Sequence, residues 1–150
     1  MSMKISGGIF MSTIDVALKI LQQNNFKITK QRQYLLEYLA QQADFYIALS
    51  QLDQQMRAFF PKMSHDTIYR NVKEMQQIGI LETKMFTNGL RVKFQCDFAK
   101  KEHSHFICEQ CGRALELPLP DFTAIEQQLS NYQINNYHVE IWGICDQCQI

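Results

Sequence analysis

SHDTIYRNVKEMQQIGILETKMFTNGLRVKFQC, residues 64–96, changes its period halfway. Up to Gly79 the apolar residues Ile68, Val72 and Met75 recur at three- to four-residue intervals, the spacing of one helical stripe. Ser64 stands where an N-cap belongs, and Gly79 where the residue just past a helix end belongs. From Ile80 onward apolar and polar residues alternate. Asn88-Gly89 interrupts the alternation with a dipeptide that tolerates positive φ, which predicts a two-residue hairpin turn and sets Leu81 opposite Cys96. On the helix, about 100° of rotation per residue turns Asp66, Arg70, Lys73 and Gln77 away from the stripe, with Tyr69 on its flank.

Toward the N-terminus the pattern is helical three times over. Ile14, Ala17, Leu18 and Leu21 share a face until NNFK (24–27) ends it. Thr29 caps TKQRQYLLEYLAQQ (29–42), which carries Leu35, Leu36 and Leu39. ALSQLDQQMRAFF (48–60) places Leu49, Leu52, Met56 and Phe59 on one stripe before Pro61 stops it. Three helices, a fourth with a polar outward face, then a hairpin is the order of a winged helix-turn-helix. There the fourth helix enters the major groove and the hairpin is the wing. The same pattern also describes an ordinary helical domain with a surface hairpin, and pattern alone leaves the two level.

Toward the C-terminus, DFAKKEH (97–103) is polar and lysine-rich and reads as a hinge. HSHFICEQCGRALEL (103–117) makes a knuckle between two strands, and Pro118 and Pro120 break the run. DFTAIEQQLSNY (121–132) reads as a short helix capped by Asp121, and NNYHVEIWGIC (135–145) as an alternating strand leading to Cys145 and Cys148. The expected fold is α+β: a flexible tail (1–11), a winged-helix DNA-binding domain (12–96), a hinge (97–102) and a small α/β domain (103–150). No repeat or low-complexity tract interrupts it.

Composition agrees with a folded, two-part chain. Of 150 residues, 46% are hydrophobic and 11% aromatic, enough for cores, but two small domains each bury little and often recruit a metal. The formal charge of zero hides an asymmetry: 12 Lys/Arg against 7 Asp/Glu in residues 1–96, and 3 against 8 in 97–150. A basic half joined to an acidic one points the first half at a polyanion. MSMKISGGIF (1–10) lacks the apolar stretch of a signal peptide, and no window is long enough to span a bilayer, so a reducing cytoplasm is the expected compartment. There, five cysteines read as metal ligands or thiols rather than disulfides.

CEQC (108–111) and CDQC (145–148) are paired C-x-x-C knuckles. Each presents two thiolates along one edge of a tetrahedron, so Cys108, Cys111, Cys145 and Cys148 together satisfy a zinc ion and leave no open position for substrate. That makes the site structural. A thioredoxin-like redox pair is the competing reading, and the chain lacks its βαβ context. His103 and His105, two apart beside a strand, project from one face and are able to share a second ion with Cys96. Cys96 also shares parity with Leu90, Val92 and Phe94, so a buried apolar role competes. No nucleophile–His–acid set is visible, no catalytic residue is assigned, and a zinc-stapled redox or hydrolytic enzyme is the rival from another class.

The helix DTIYRNVKEMQQIGILE (66–82), the segment HSHFICEQCG (103–112) and the closing WGICDQC (142–148) together resemble the ferric uptake regulator (Fur) family, over about residues 12–148. Within it the match is most like the zinc uptake regulators (Zur) of Gram-positive bacteria. The resemblance implies an N-terminal winged helix on double-stranded operator DNA and a C-terminal domain that forms a homodimer. It implies one structural zinc on the four knuckle cysteines and one regulatory zinc at the hinge that switches DNA binding on. Cys96 stands where iron and peroxide sensors often carry a carboxylate, and a thiolate with two imidazoles suits borderline-soft zinc better than Fe(II) or Mn(II). Similarity to zinc members implies Glu82 as a fourth ligand beside Cys96, His103 and His105, although the hairpin register puts Glu82 on the other face; a bulge or a strand end would repair this.

By the same resemblance Lys27, in the turn NFKIT (25–29), enters the minor groove. Arg70 has the reach for a guanine edge, Tyr69 for a thymine methyl or a phosphate, and Lys73 and Arg32 read as phosphate contacts, with a solvated basic face as the alternative. A third metal site, common in the family, is not expected, because Tyr137 stands where a histidine is usual, His138 is displaced by one, and Glu102 and Ser104 flank His103. Glu116 reads as a solvated strand carboxylate, with a hinge ligand as the alternative. The expectation is a zinc-responsive repressor of zinc uptake genes, with no membrane partner and no small organic substrate. An iron-, manganese- or peroxide-sensing repressor is the same-class rival.

Overall fold

The computed structural model describes residues 13–95 and 104–149. The expected tail and hinge, and the expected ligands Cys96 and His103, lie outside the described residues. The chain divides between residues 98 and 99 into two compact units.

In the first unit, α1 (Thr13–Gln23), α2 (Lys30–Gln41), α3 (Leu49–Phe59) and α4 (His65–Gln77) precede a hairpin of β2 (Leu81–Phe86) and β3 (Gly89–Phe94). The sequence caps act as read. Thr29 Oγ1 accepts from Arg32 N at 3.1 Å and Ser64 Oγ from Thr67 N at 3.2 Å, and each such cap stabilises its helix by about 1 kcal/mol. Gly79 takes φ +82° beyond the end of α4, a conformation that a side chain would strain. The buried stripes of the four helices meet in one core, with Leu21, Leu35, Leu36, Leu52, Met56 and Ile68 fully enclosed together with Val92 of the hairpin.

Two features of this unit differ from the sequence expectation. A two-residue strand, β1 (Ile47–Ala48), pairs antiparallel with β3 and gives a three-stranded sheet of order β1-β3-β2. Two residues carry no readable alternation, so only the long-range pairing reveals it. The hairpin also turns one residue earlier than Asn88-Gly89. Thr87 and Asn88 form the turn, Phe86 pairs with Gly89, and Gly89 alone takes the positive φ, at +127°. Leu81 therefore faces Phe94 rather than Cys96, two residues from the expected register. A shift of two keeps every side chain on its original face, so the apolar pattern is satisfied either way.

The second unit contains β4 (Ser104–Cys108), β5 (Ala114–Leu117), α5 (Thr123–Gln128) and β6 (Val139–Gly143), with sheet order β5-β4-β6. β5 returns antiparallel to β4 through the knuckle turn, where Gly112 takes φ +80°, and β6 runs parallel to β4 after the α5 crossover. The helix is shorter than residues 121–132. Asp121 acts one position before the cap residue Phe122, accepting from Thr123 N at 2.9 Å. None of its residues is buried, so no apolar face sustains a further turn. Among the described residues no helix is long and apolar enough to cross a membrane.

Candidate nucleic-acid interface and metal centre

The outward face of α4 is built as its period requires. Ile68, Val72 and Met75 are buried, while Asp66, Tyr69, Arg70, Lys73 and Gln77 are exposed. Tyr69 also borders a cleft of about 320 Å³ lined by Ser50 at the start of α3 and by Asn88, Gly89 and Arg91 of the hairpin. Arg91 is held there rather than free to swing, with its Cζ 4.5 Å from the Phe86 ring centroid and Nη2 donating to Asn88 Oδ1 at 3.4 Å. Lys27, in the turn between α1 and α2, is exposed.

Arg32 is placed differently from the other expected DNA contacts. Its guanidinium donates to the Lys27 carbonyl at 2.7 Å, to Asn71 Oδ1 at 3.1 Å and to Glu74 Oε2 at 3.4 Å. Its side chain is only 17% exposed.

A second tie was not anticipated from sequence. Asp53 of α3 is buried, and its Oδ2 lies 2.5 Å from His65 Nδ1 in the first turn of α4. Arg57 Nη1 donates to His65 Nε2 at 2.9 Å, so the Nδ1 proton of a neutral ring is the one donated to Asp53. Asp53 reads in sequence as a surface residue between Leu52 and Met56; its only local signal is Arg57 four positions on.

In the second unit the two knuckles converge. The Sγ atoms of Cys108, Cys111, Cys145 and Cys148 all lie within 4.8 Å of one another, an arrangement able to hold a metal ion. The parallel pairing of β4 with β6 brings this about, since Cys108 aligns with Gly143, two residues before Cys145. Burial opposes the Cys108 thiolate, but backbone N–H groups of Cys111, Cys145 and Gln110 aimed at its sulfur outweigh burial and bring its pKa down to about 6. Burial raises Cys111, and contact with the Cys145 thiol, then burial, pushes Cys148 up to about 12. Four sulfurs this close resist carrying four charges together, and a dication relieves that repulsion. The donor set fits a tetrahedral S₄ ion such as zinc.

Of the second expected ligand set, two members are described, one in each unit. Glu82, half-buried on β2, pairs across the ladder with Lys93, and its Oε2 accepts from the buried Tyr46 hydroxyl at 3.0 Å. Tyr46 escaped the sequence reading because it lies in the irregular stretch before β1. His105, half-buried on β4, stands in register with Glu116 of β5 and Glu140 of β6, so the three share one face. Tyr137 stacks on Phe122 with ring centroids 4.3 Å apart and donates to Glu126 Oε1 at 2.5 Å, while His138 is exposed.

Residues 23–142 match the ferric uptake regulator family. The chain is 33% identical over 139 residues to a ferric uptake regulation protein of Staphylococcus epidermidis, covering 93% of this chain and 97% of that one. It is 30% identical to the peroxide-responsive repressor PerR of Staphylococcus aureus, covering 91% of each. Among solved structures it resembles a zinc uptake regulator complexed with zinc and DNA, with TM-score 0.67 and 23% identity over 93% of this chain and 96% of that one. It also resembles the Helicobacter pylori ferric uptake regulator, with TM-score 0.66 and 18% identity over 93% and 95%. At these identities the structural likeness is one of fold.

Proposed function

The chain belongs to the ferric uptake regulator family, whose members are metal-responsive, DNA-binding transcription regulators and not enzymes, and on that premise we propose that it is a zinc-responsive repressor. It acts in the cytoplasm as a homodimer on operator DNA controlling zinc uptake genes. The observation that carries the reading is the convergence of the four knuckle sulfurs within 4.8 Å. A tetrahedral ion there takes all its ligands from the second unit, which leaves Cys96, His103 and His105 to a different ion.

The knuckle ion is structural and the other regulatory. Cys96, His103, His105 and Glu82 would hold the regulatory zinc, which when bound would switch DNA binding on. Glu82 fits such a role, since the Tyr46 phenol fixes one carboxylate oxygen, as outer groups commonly do for metal-binding carboxylates. Thiolate and imidazole donors favour zinc over Fe(II) or Mn(II). The relatives named for ferric uptake and for peroxide response support the rival sensors.

On DNA, α4 lies in the major groove, where Arg70 reaches a guanine edge and Tyr69 a thymine methyl or a phosphate, while Lys73 meets the backbone and Lys27 the minor groove. Homodimerisation is supported by an apolar row on the second unit's sheet, exposed Leu115 and Ile141 flanking half-buried Phe106 in register across three strands. Two copies of α4 then meet half-sites about 34 Å apart. Turning a mostly open protein mostly closed needs differential binding of about 5.5 kcal/mol, well below the ~10–16 kcal/mol apparent affinity of a good zinc site.

The test selects an operator from random duplexes with zinc-loaded protein, then titrates its binding against buffered free zinc, Fe(II) and Mn(II). Activation at the lowest free concentration by zinc supports the proposal. Activation at lower free Fe(II) or Mn(II), or release by peroxide, assigns the chain to the rival sensors.

A further inference from the structure

Arg32 occupies the first turn of α2, yet its side chain reaches out of that helix toward two other elements. Nη1 donates to the carbonyl of Lys27 at 2.7 Å, inside the turn between α1 and α2. Nε donates to Asn71 Oδ1 at 3.1 Å and Nη2 to Glu74 Oε2 at 3.4 Å, both on α4. Its Cζ also stands 5.3 Å from the ring centroid of Phe26, the residue before Lys27. One planar fork thus joins the Lys27 turn to the middle of α4.

These partners weigh against the simpler role of phosphate contact. The Arg32 charge is already paired with Glu74, and its side chain is 17% exposed. Swinging it outward would take the donor from Asn71, which is only 7% exposed and poorly placed to replace it with water. Asn71 and Glu74 alternate along α4 with Arg70 and Lys73, so whatever fixes the first pair fixes the angle at which the second pair is presented.

We propose that Arg32 is a positioning residue for DNA reading: it holds the Lys27 turn and α4 at one fixed spacing, so that a minor-groove and a major-groove contact fall in register on the same duplex. This rests on the assignment of Lys27 and Arg70 as DNA contacts made above. Lysine cannot replace arginine here, because a single ammonium cannot hold three acceptors in the plane of a fork. The fold itself does not hinge on Arg32, since the α1–α4 core closes around Leu21, Leu35, Leu36 and Leu52 without it.

The experiment measures binding of the zinc-loaded full chain to the selected operator and to a scrambled duplex over a range of salt, with thermal melting of each variant as a folding control. Arg32→Lys should lower operator affinity about tenfold, the loss of alignment at one base contact, and leave scrambled-duplex affinity and its salt slope at wild-type values. Lys73→Ala calibrates a true phosphate contact, weakening both duplexes alike and lowering the slope by about one. If Arg32→Gln behaves like Lys73→Ala while Arg32→Lys behaves like wild type, Arg32 is a backbone contact and the proposal is overturned. If the Arg32 variants do not fold, Glu74→Gln decides: loss of operator preference supports the link, and tighter binding to both duplexes overturns it. Lys27→Ala and Arg70→Ala separate the layers. An unchanged operator preference in both sinks the contact assignment and the link with it. A reduced preference in both, beside an unaffected Arg32→Lys, sinks the link alone.

Discussion

The sulfurs of Cys111 and Cys145 stand 3.7 Å apart although 34 residues separate them in the chain. Strand pairing brings them together, because β6 lies parallel to β4 and delivers the second knuckle beside the first. The unit they close has little else to hold it. Among its described residues the buried apolar set is Ile107, Cys108, Ala114 and Cys145, and α5 contributes nothing to it. A core this small needs a staple. Cys108→Ser should therefore remove one tightly held zinc per chain, and a large share of the ~10–16 kcal/mol apparent binding that would otherwise oppose unfolding of this unit. Native mass spectrometry and thermal melting check it. A folded dimer of wild-type stability would show that the knuckles are not structural.

The row Leu115, Phe106 and Ile141 predicts a second outcome. Leu115 is 42% and Ile141 51% exposed, an apolar pair left uncovered on the two strands that flank β4. A charge there is tolerated in water but not against a second copy. Ile141→Asp should yield a monomer by sedimentation, retain the knuckle zinc, and bind operator with a lower salt slope, since only one α4 engages per event. A dimer at wild-type concentration would place the interface elsewhere.

These two outcomes differ in how far sequence could have foreseen them. The caps Thr29 and Ser64, the stripe of α4 and the paired knuckles are local signals, each readable within a few residues, and the winged-helix order follows from them. β1 and the parallel placing of β6 depend on partners tens of residues away, which periodicity does not encode, and the hairpin register is set by turn geometry that alternation leaves open. The register differs by two from the expected one without upsetting the apolar pattern, because Leu81 finds an apolar partner in Phe94. Polar ties were the least legible. Arg32 and Asp53 look like surface residues until Asn71, Glu74 and His65 are seen to face them.

Tyr46 and Glu82 form one such tie, and it predicts how the sensor is tuned. The phenol donates to Glu82 Oε2 at 3.0 Å from a side chain that is 3% exposed, so it restricts the carboxylate to few orientations. Loss of an outer hydrogen bond of this kind typically weakens metal affinity by about 10–100-fold. Tyr46→Phe should raise the free zinc needed for half-maximal operator binding by about tenfold and leave the knuckle zinc in place. Glu82→Ala should raise it further, and the double variant should equal Glu82→Ala alone. Additive effects would separate Tyr46 from the ligand set, and a wild-type zinc response in Glu82→Ala would remove Glu82 from it.

Cys96 and His105 carry the last prediction. A tetrahedral ion at the knuckles would take four thiolates from Cys108, Cys111, Cys145 and Cys148 and need no other donor. His105 sits on β4 three residues before Cys108, on a face it shares with Glu116 and Glu140, whereas Cys108 belongs to the opposite parity of the strand. One ion therefore does not serve both sets. Cys96→Ser and His105→Ala should each leave a folded dimer with one zinc per chain, and each should fail to gain operator affinity as zinc is added. Because imidazole and thiol ligands must lose their protons to bind, activation of the wild type should weaken as pH falls toward the histidine range near roughly 6.5. Metal content by mass spectrometry, paired with operator binding against buffered free zinc, reads both halves at once. If both variants switch on at the wild-type zinc level, the regulatory site lies elsewhere, and Cys96 takes the apolar role its parity with Val92 and Phe94 allows.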